Sequence, residues 1–90
     1  MPYAQAEVKL YDDGSIALIS YVTNVASIVN GWVTVHGLYS MTTRKHLGAF
    51  AKEYCRTTYH TLKKCYNENL QYNIDTKEFY NNSTGEVWTE

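Results

Sequence analysis

Polar and apolar residues alternate from Glu7 to Tyr11, the period-two pattern of a strand with one face on a core. Asp13-Gly14 follows, a pair suited to positive φ, and Ser15 to Val22 resumes as strand. Residues 4–12 are therefore expected to pair with 15–22 across a two-residue turn. Val25 to Val29, then Asn30-Gly31, then Trp32 to His36 repeat the arrangement with the strongest short hairpin signal. Only Thr23-Asn24 links the hairpins, so residues 15–29 form one bent strand or two short ones. Val33 and Val35 fall on one face of the last strand and Trp32, Thr34 and His36 on the other; the valine face is read as the floor for a helix.

Past Gly37 the period changes. Leu47, Phe50, Ala51, Tyr54, Cys55, Tyr59, Leu62, Cys65 and Tyr66 recur in steps of three and four, one stripe along a helix. Ser40, Thr42 and Thr43 supply hydroxyls where that helix begins, each able to accept from an orphan backbone N–H. A continuous helix to residue 70 would be ~43 Å long. It would overhang a small sheet and leave Leu62, Tyr66 and Leu70 to a second copy or another protein. Residues 56–61 are poor in helix formers, and a break near Thr57 that folds the chain back is the favoured reading. Beyond Asn69, Asp75 to Glu78 has the form of a capping box, while Phe79-Tyr80 and Val87-Trp88 around 81–85 have the form of a hairpin; both stay open, and Trp88 is expected to dock. The expected fold is a single α+β domain: an antiparallel meander of three or four strands (4–38) packed against one long or two shorter basic amphipathic helices (41–70), with a short irregular C-terminal segment (71–90).

Charge sharpens this picture. The net charge of −1 over 90 residues is too balanced for a protein that coats nucleic acid by bulk electrostatics. Yet six of the 8 Lys and Arg residues fall between 44 and 64, against Glu53 alone, and the arms on either side are acidic. A domain of this size buries only about 60–65% of its unfolded surface, which leaves room for a partner. No apolar run approaches the roughly 20 residues of a membrane span, and MPYAQAEV lacks the regions of a signal peptide, so a cytoplasmic protein is expected. Cys55 and Cys65 would stand about 15 Å apart on one helix, beyond the ~7 Å that a disulfide allows; both are read as reduced core thiols. Tyr supplies 9 aromatic residues against 2 Trp and 2 Phe, a bias shared by interfaces and by thin sheets.

The search for chemistry yields one constellation. His36, His46, His60, Cys55 and Cys65 match no metal-ligand spacing, so neither metal nor cofactor is expected. The thiols sit on the apolar stripe, no glycine-rich phosphate loop exists, and no carboxylate pair stands out; the chain is not read as an enzyme. Thr42, Thr43 and His46 are better explained as a capping turn than as a catalytic set. What remains is the basic helix: Arg44, Lys45, Lys52, Arg56, Lys63 and Lys64 with interleaved Tyr59 and Tyr66 are the candidate partner-binding residues. Placing Arg44, Lys45 and His46 in the first turn opposes the helix dipole by a few tenths of a kcal/mol each. An anion or an acidic partner surface that meets both the N-terminal amides and these cations would account for that, as would plain solvation. The same residues could follow a phosphate backbone with Tyr rings stacked on bases, although no Asn, Gln and Arg cluster is present to read base edges.

Ser20-Tyr21-x-Thr23-x-Val25-Ala26 and Tyr39-Ser40-x-Thr42-Thr43-x-Lys45-His46 resemble a family of small bacteriophage proteins of unknown function, over roughly residues 18–54. Lys45 stands where that family more often has Arg, so a two-pronged guanidinium contact is not expected there. The resemblance implies a ββα core in a phage accessory protein. By analogy of class, it implies an anti-defence inhibitor that binds stoichiometrically to a host defence protein, with a CRISPR effector nuclease as one candidate partner, which would make the chain an anti-CRISPR protein. The alternative is a small nucleic-acid-binding regulator, with a homodimer through residues 57–70 left open.

Overall fold

The computed structural model describes residues 6–90. Seven strands form one antiparallel sheet in chain order: β1 (Ala6–Leu10), β2 (Ile16–Ser20), β3 (Thr23–Val29), β4 (Trp32–Val35), β5 (Leu70–Asn73), β6 (Glu78–Asn81) and β7 (Val87–Thr89). Two helices, α1 (Met41–Tyr54) and α2 (Tyr59–Glu68), are inserted between β4 and β5. The α+β class and the helix-backed meander are as expected. The sheet, however, continues past its first four strands, and the segment after residue 70 is regular rather than irregular. Phe79-Tyr80 and Val87-Trp88 pair across the 82–86 turn, so the hairpin forms and the capping-box helix does not. The reason is burial: Phe79 packs on Tyr72 and Trp88 at ring separations of 5.1 and 5.7 Å, contacts that a short exposed helix would forgo.

Turn chemistry explains most of the registers. Asn30 and Gly31 both take positive φ, 53° and 84°, and set Val29 against Trp32, as the tightest hairpin turn requires. The first hairpin differs from expectation. Of Asp13 and Gly14 only Gly14 has positive φ, the last Cα pair is Leu10 with Ile16, and a five-residue loop replaces the two-residue turn. Asp13 Oδ1 accepts from the backbone N–H and the hydroxyl of Ser15, which holds this carboxyl below the usual carboxylate range. Residues 4 and 5 of the expected strand lie outside the described residues. Between the hairpins the turn is Tyr21-Val22 rather than Thr23-Asn24, since Ser20 pairs with Thr23; 15–29 is thus two strands.

Val33 and Val35 are buried against the helices, with Leu18, Ile28, Leu47, Phe50, Leu62, Leu70 and Tyr72 in the same cluster. The helical stripe breaks at 55–58, where Arg56 takes φ 55° and Thr58 opens α2. The fold-back covers Leu62 and Leu70 within the chain, while Tyr66 stays 45% exposed. It also places Cys55 at the C-cap of α1 and Cys65 within α2, both free and buried, so the 15 Å spacing of a continuous helix does not apply. Burial pushes both thiols up to about 12, the direction that makes a thiol inert.

Candidate functional site

Ser40 caps α1: its hydroxyl accepts from the Thr43 backbone N–H at 3.1 Å and donates to Thr43 Oγ1 at 3.2 Å. Thr43 Oγ1 lies 3.4 Å from Ser20 Oγ, and Ser20 Oγ shares a 2.8 Å hydrogen bond with His46 Nδ1. Ser20, Thr43 and His46 are buried. Both sequence motifs therefore meet in one polar seam that stitches the end of β2 to the first two turns of α1. This seam faces inward and holds the helix to the sheet, and among the described residues no carboxylate joins its hydrogen bonds; of the hydroxyls expected at the helix start, Ser40 supplies the cap. With His46 turned into the core, Arg44 and Lys45, at the junction of the first and second turns, are exposed.

α2 runs back along α1 because the 55–58 turn brings Tyr59 beside Gly48; a Cβ added at Gly48 would stand 3.7 Å from Tyr59 Cβ. Two adjoining clefts open on this helix surface. One, of about 500 Å³, is lined by Lys45, Gly48, Ala49, Lys52, Glu53 and Tyr59. The other, of about 300 Å³, is lined by Met41, Arg44, Lys45, Tyr59 and Lys63. Lys45 and Tyr59 belong to both, so the two form one groove with Tyr59 in its floor. Arg44, Lys45, Lys52 and Lys63 put four cations along it against Glu53, and none of the four is ion-paired among the described residues.

The structure thus gathers Arg44, Lys45, Lys52, Tyr59 and Lys63 and separates the other three candidates. Arg56 sits in the interhelical turn 3.7 Å from Asp75. Lys64 bonds Glu90 and lies 5.2 Å above the Phe79 ring; the Glu90 hydrogen bond raises its pKa, its charge being held by the C-terminal strands. Tyr66 is exposed on α2 but does not line the groove. Gly48, Ala49 and Met41 complete the lining and were missed at the level of sequence. A glycine inside a helical run that costs roughly 0.5–1 kcal/mol relative to Ala was the available signal for the first of them.

Among the described residues no group of three or more His, Cys, Asp or Glu side chains comes together as a metal site, and no helix is long and apolar enough to cross a membrane. No curated protein and no solved structure matches the chain. Residues 2–82 match the model of a family of unknown function, DUF8033.

Proposed function

Since the chain belongs to DUF8033, a family defined without an assigned function, we propose from its own surface that it acts by stoichiometric binding. The α1–α2 groove is the contact site, and its partner presents an acidic macromolecular surface. The observation that carries this reading is the set of four cations around one groove, each exposed and none ion-paired with a carboxylate among the described residues. Holding like charges together costs the free protein electrostatic energy, which an acidic partner relieves on docking. Tyr59, amphipathic and ordered between the helices, is suited to act as the anchor. Taken with the phage-like motifs, the reading makes the chain an anti-defence inhibitor of a host defence protein in the host cytosol. A CRISPR effector nuclease is the specific partner proposed, and the chain works without catalysis of its own.

The test is affinity capture from host lysate with the wild type and with a variant carrying Lys45→Glu, Lys52→Glu and Lys63→Glu, alongside Lys9→Glu as a control away from the groove. The expected result is a stoichiometric protein partner kept by the control and lost by the triple variant. Retention by the triple variant would move the contact surface elsewhere. The ring of Tyr59 beside four cations also fits a single strand of nucleic acid. In that case capture would vanish after nuclease treatment, and affinity would fall with log salt at a slope of about −3 for four phosphate contacts.

A further inference from the structure

Both helices lie on one face of the sheet, and among the described residues no helix covers the other face. Across it, Val29 stands opposite Trp32 and Tyr80 opposite Val87, and the Trp32 and Tyr80 rings meet edge to face at 6.2 Å. This apolar stripe crosses β3, β4, β6 and β7, with Val29 50% and Val87 48% exposed. Beside it the polar groups satisfy one another: Ser27 Oγ and His36 Nε2 are 3.0 Å apart, and Gln71 Nε2 donates to Thr34 Oγ1 at 2.8 Å. An open face of an antiparallel sheet ordinarily turns polar residues to water. Here, from Ala17 on β2 to Asn73 on β5, no residue on this face is Lys, Arg, Asp or Glu. Formal charge appears only at the margins, in the Glu7–Lys9 pair on β1 and Glu78 on β6.

We propose that this face is the interface of a homodimer, two copies packed sheet against sheet. A two-fold interface sets a surface against itself, so every charge near its centre meets its own like; a charge-free centre is the composition that a second copy tolerates. Exposed apolar and aromatic side chains on a surface depleted of formal charge are also the composition of a protein–protein contact. The size permits it: the molecule measures 37 × 29 × 19 Å, and the two longer dimensions set an upper bound on the order of 1,000 Å² for a face, against ~800 Å² contributed per partner in a stable complex. Nucleic acid is disfavoured as the occupant, because the centre offers no cation to a phosphate. The dimer leaves both basic grooves open, pointing away from each other, so it stands independently of the groove's own partner.

Sedimentation and light scattering of the wild-type chain from about 1 to about 100 µM test this. A dimer is expected, and a variant carrying Val29→Lys and Val87→Lys, two half-exposed positions that would bring four like charges into the interface, is expected to weaken it at least about tenfold. Circular dichroism establishes that the variant is folded. The Lys45→Glu, Lys52→Glu, Lys63→Glu variant should dimerise like the wild type even if that groove proves idle. A wild type that stays monomeric throughout, or a folded Val29→Lys, Val87→Lys variant that dimerises unchanged, overturns the proposal.

Discussion

Ser20 Oγ and His46 Nδ1 meet where almost no water reaches them, with relative exposures of 1% and 0%. A buried polar atom deprived of its partner costs about 1–3 kcal/mol, so Ser20→Ala should lower the unfolding free energy by that amount in urea titration. Ser40→Ala, which removes the cap at the helix end and the hydrogen bond to Thr43 Oγ1, should cost about 1 kcal/mol. The two thiols make a pH prediction. Each holds its proton in the fold up to about 12, against an ordinary value of 9.0. Between those values the folded state binds more protons than the unfolded chain, so stability falls as pH rises. Their contribution is fully present below pH 9 and is lost from about 9 to 12. The variant Cys55→Ala, Cys65→Ala should show a shallower decline over that window in denaturation curves measured at each pH, and native wild type should resist thiol reagents at neutral pH.

Elements are held by turns and caps that differ in how much they tolerate. Gly31 sits at φ 84°, and a Cβ there would come within 3.0 Å of Asp75 Oδ2; Gly31→Ala should destabilise by more than about 1 kcal/mol. Gly48 is the opposite case. It lies inside α1 with no positive φ, and a Cβ would make ordinary contact with Tyr59. Gly48→Ala should therefore raise stability by roughly 0.5–1 kcal/mol, visible as a higher melting temperature. Gly48→Leu should fill the groove between Lys45 and Lys52 and abolish partner capture with every cation retained. That pair of outcomes separates the role of the groove's shape from that of its charge.

At the scale of the molecule, β5 to β7 complete the sheet beside β4 and tether α2 from below. Trp88 stacks on Phe79, Lys64 lies over the same ring, and Lys64 is bonded to Glu90. An exposed ion pair contributes about 0–1 kcal/mol, so the ring carries most of the attachment. Trp88→Ala should cost about 2–3 kcal/mol, below the range for a fully buried aromatic because the ring is only partly buried. Lys64→Gln should cost under about 1 kcal/mol. Because one sheet runs from β1 to β7, thermal unfolding should appear as a single transition by both far-UV and near-UV circular dichroism in wild type and Trp88→Ala alike.

What the chain declares locally, it declares well. The Asn30-Gly31 turn, the valine floor at 33 and 35, the Ser40 cap and the weak helical stretch around Thr57 are all consequences of neighbouring residues, readable by period and turn chemistry alone. The union of β4 with β5 is not, because Trp32 meets Asn73 and Val33 meets Tyr72 across the whole helical insertion, and no local pattern encodes a pairing that distant. The candidate surface divides the same way. Six cations on one basic stretch are visible in the sequence, but Lys63 and Lys64 are neighbours turned about 100° apart on a helix. Only the fold-back at 55–58 sends the first to the groove beside Arg44 and the second to Glu90 and Phe79. Which charges act together is set by how two helices pack, a long-range property that resides in the tertiary structure.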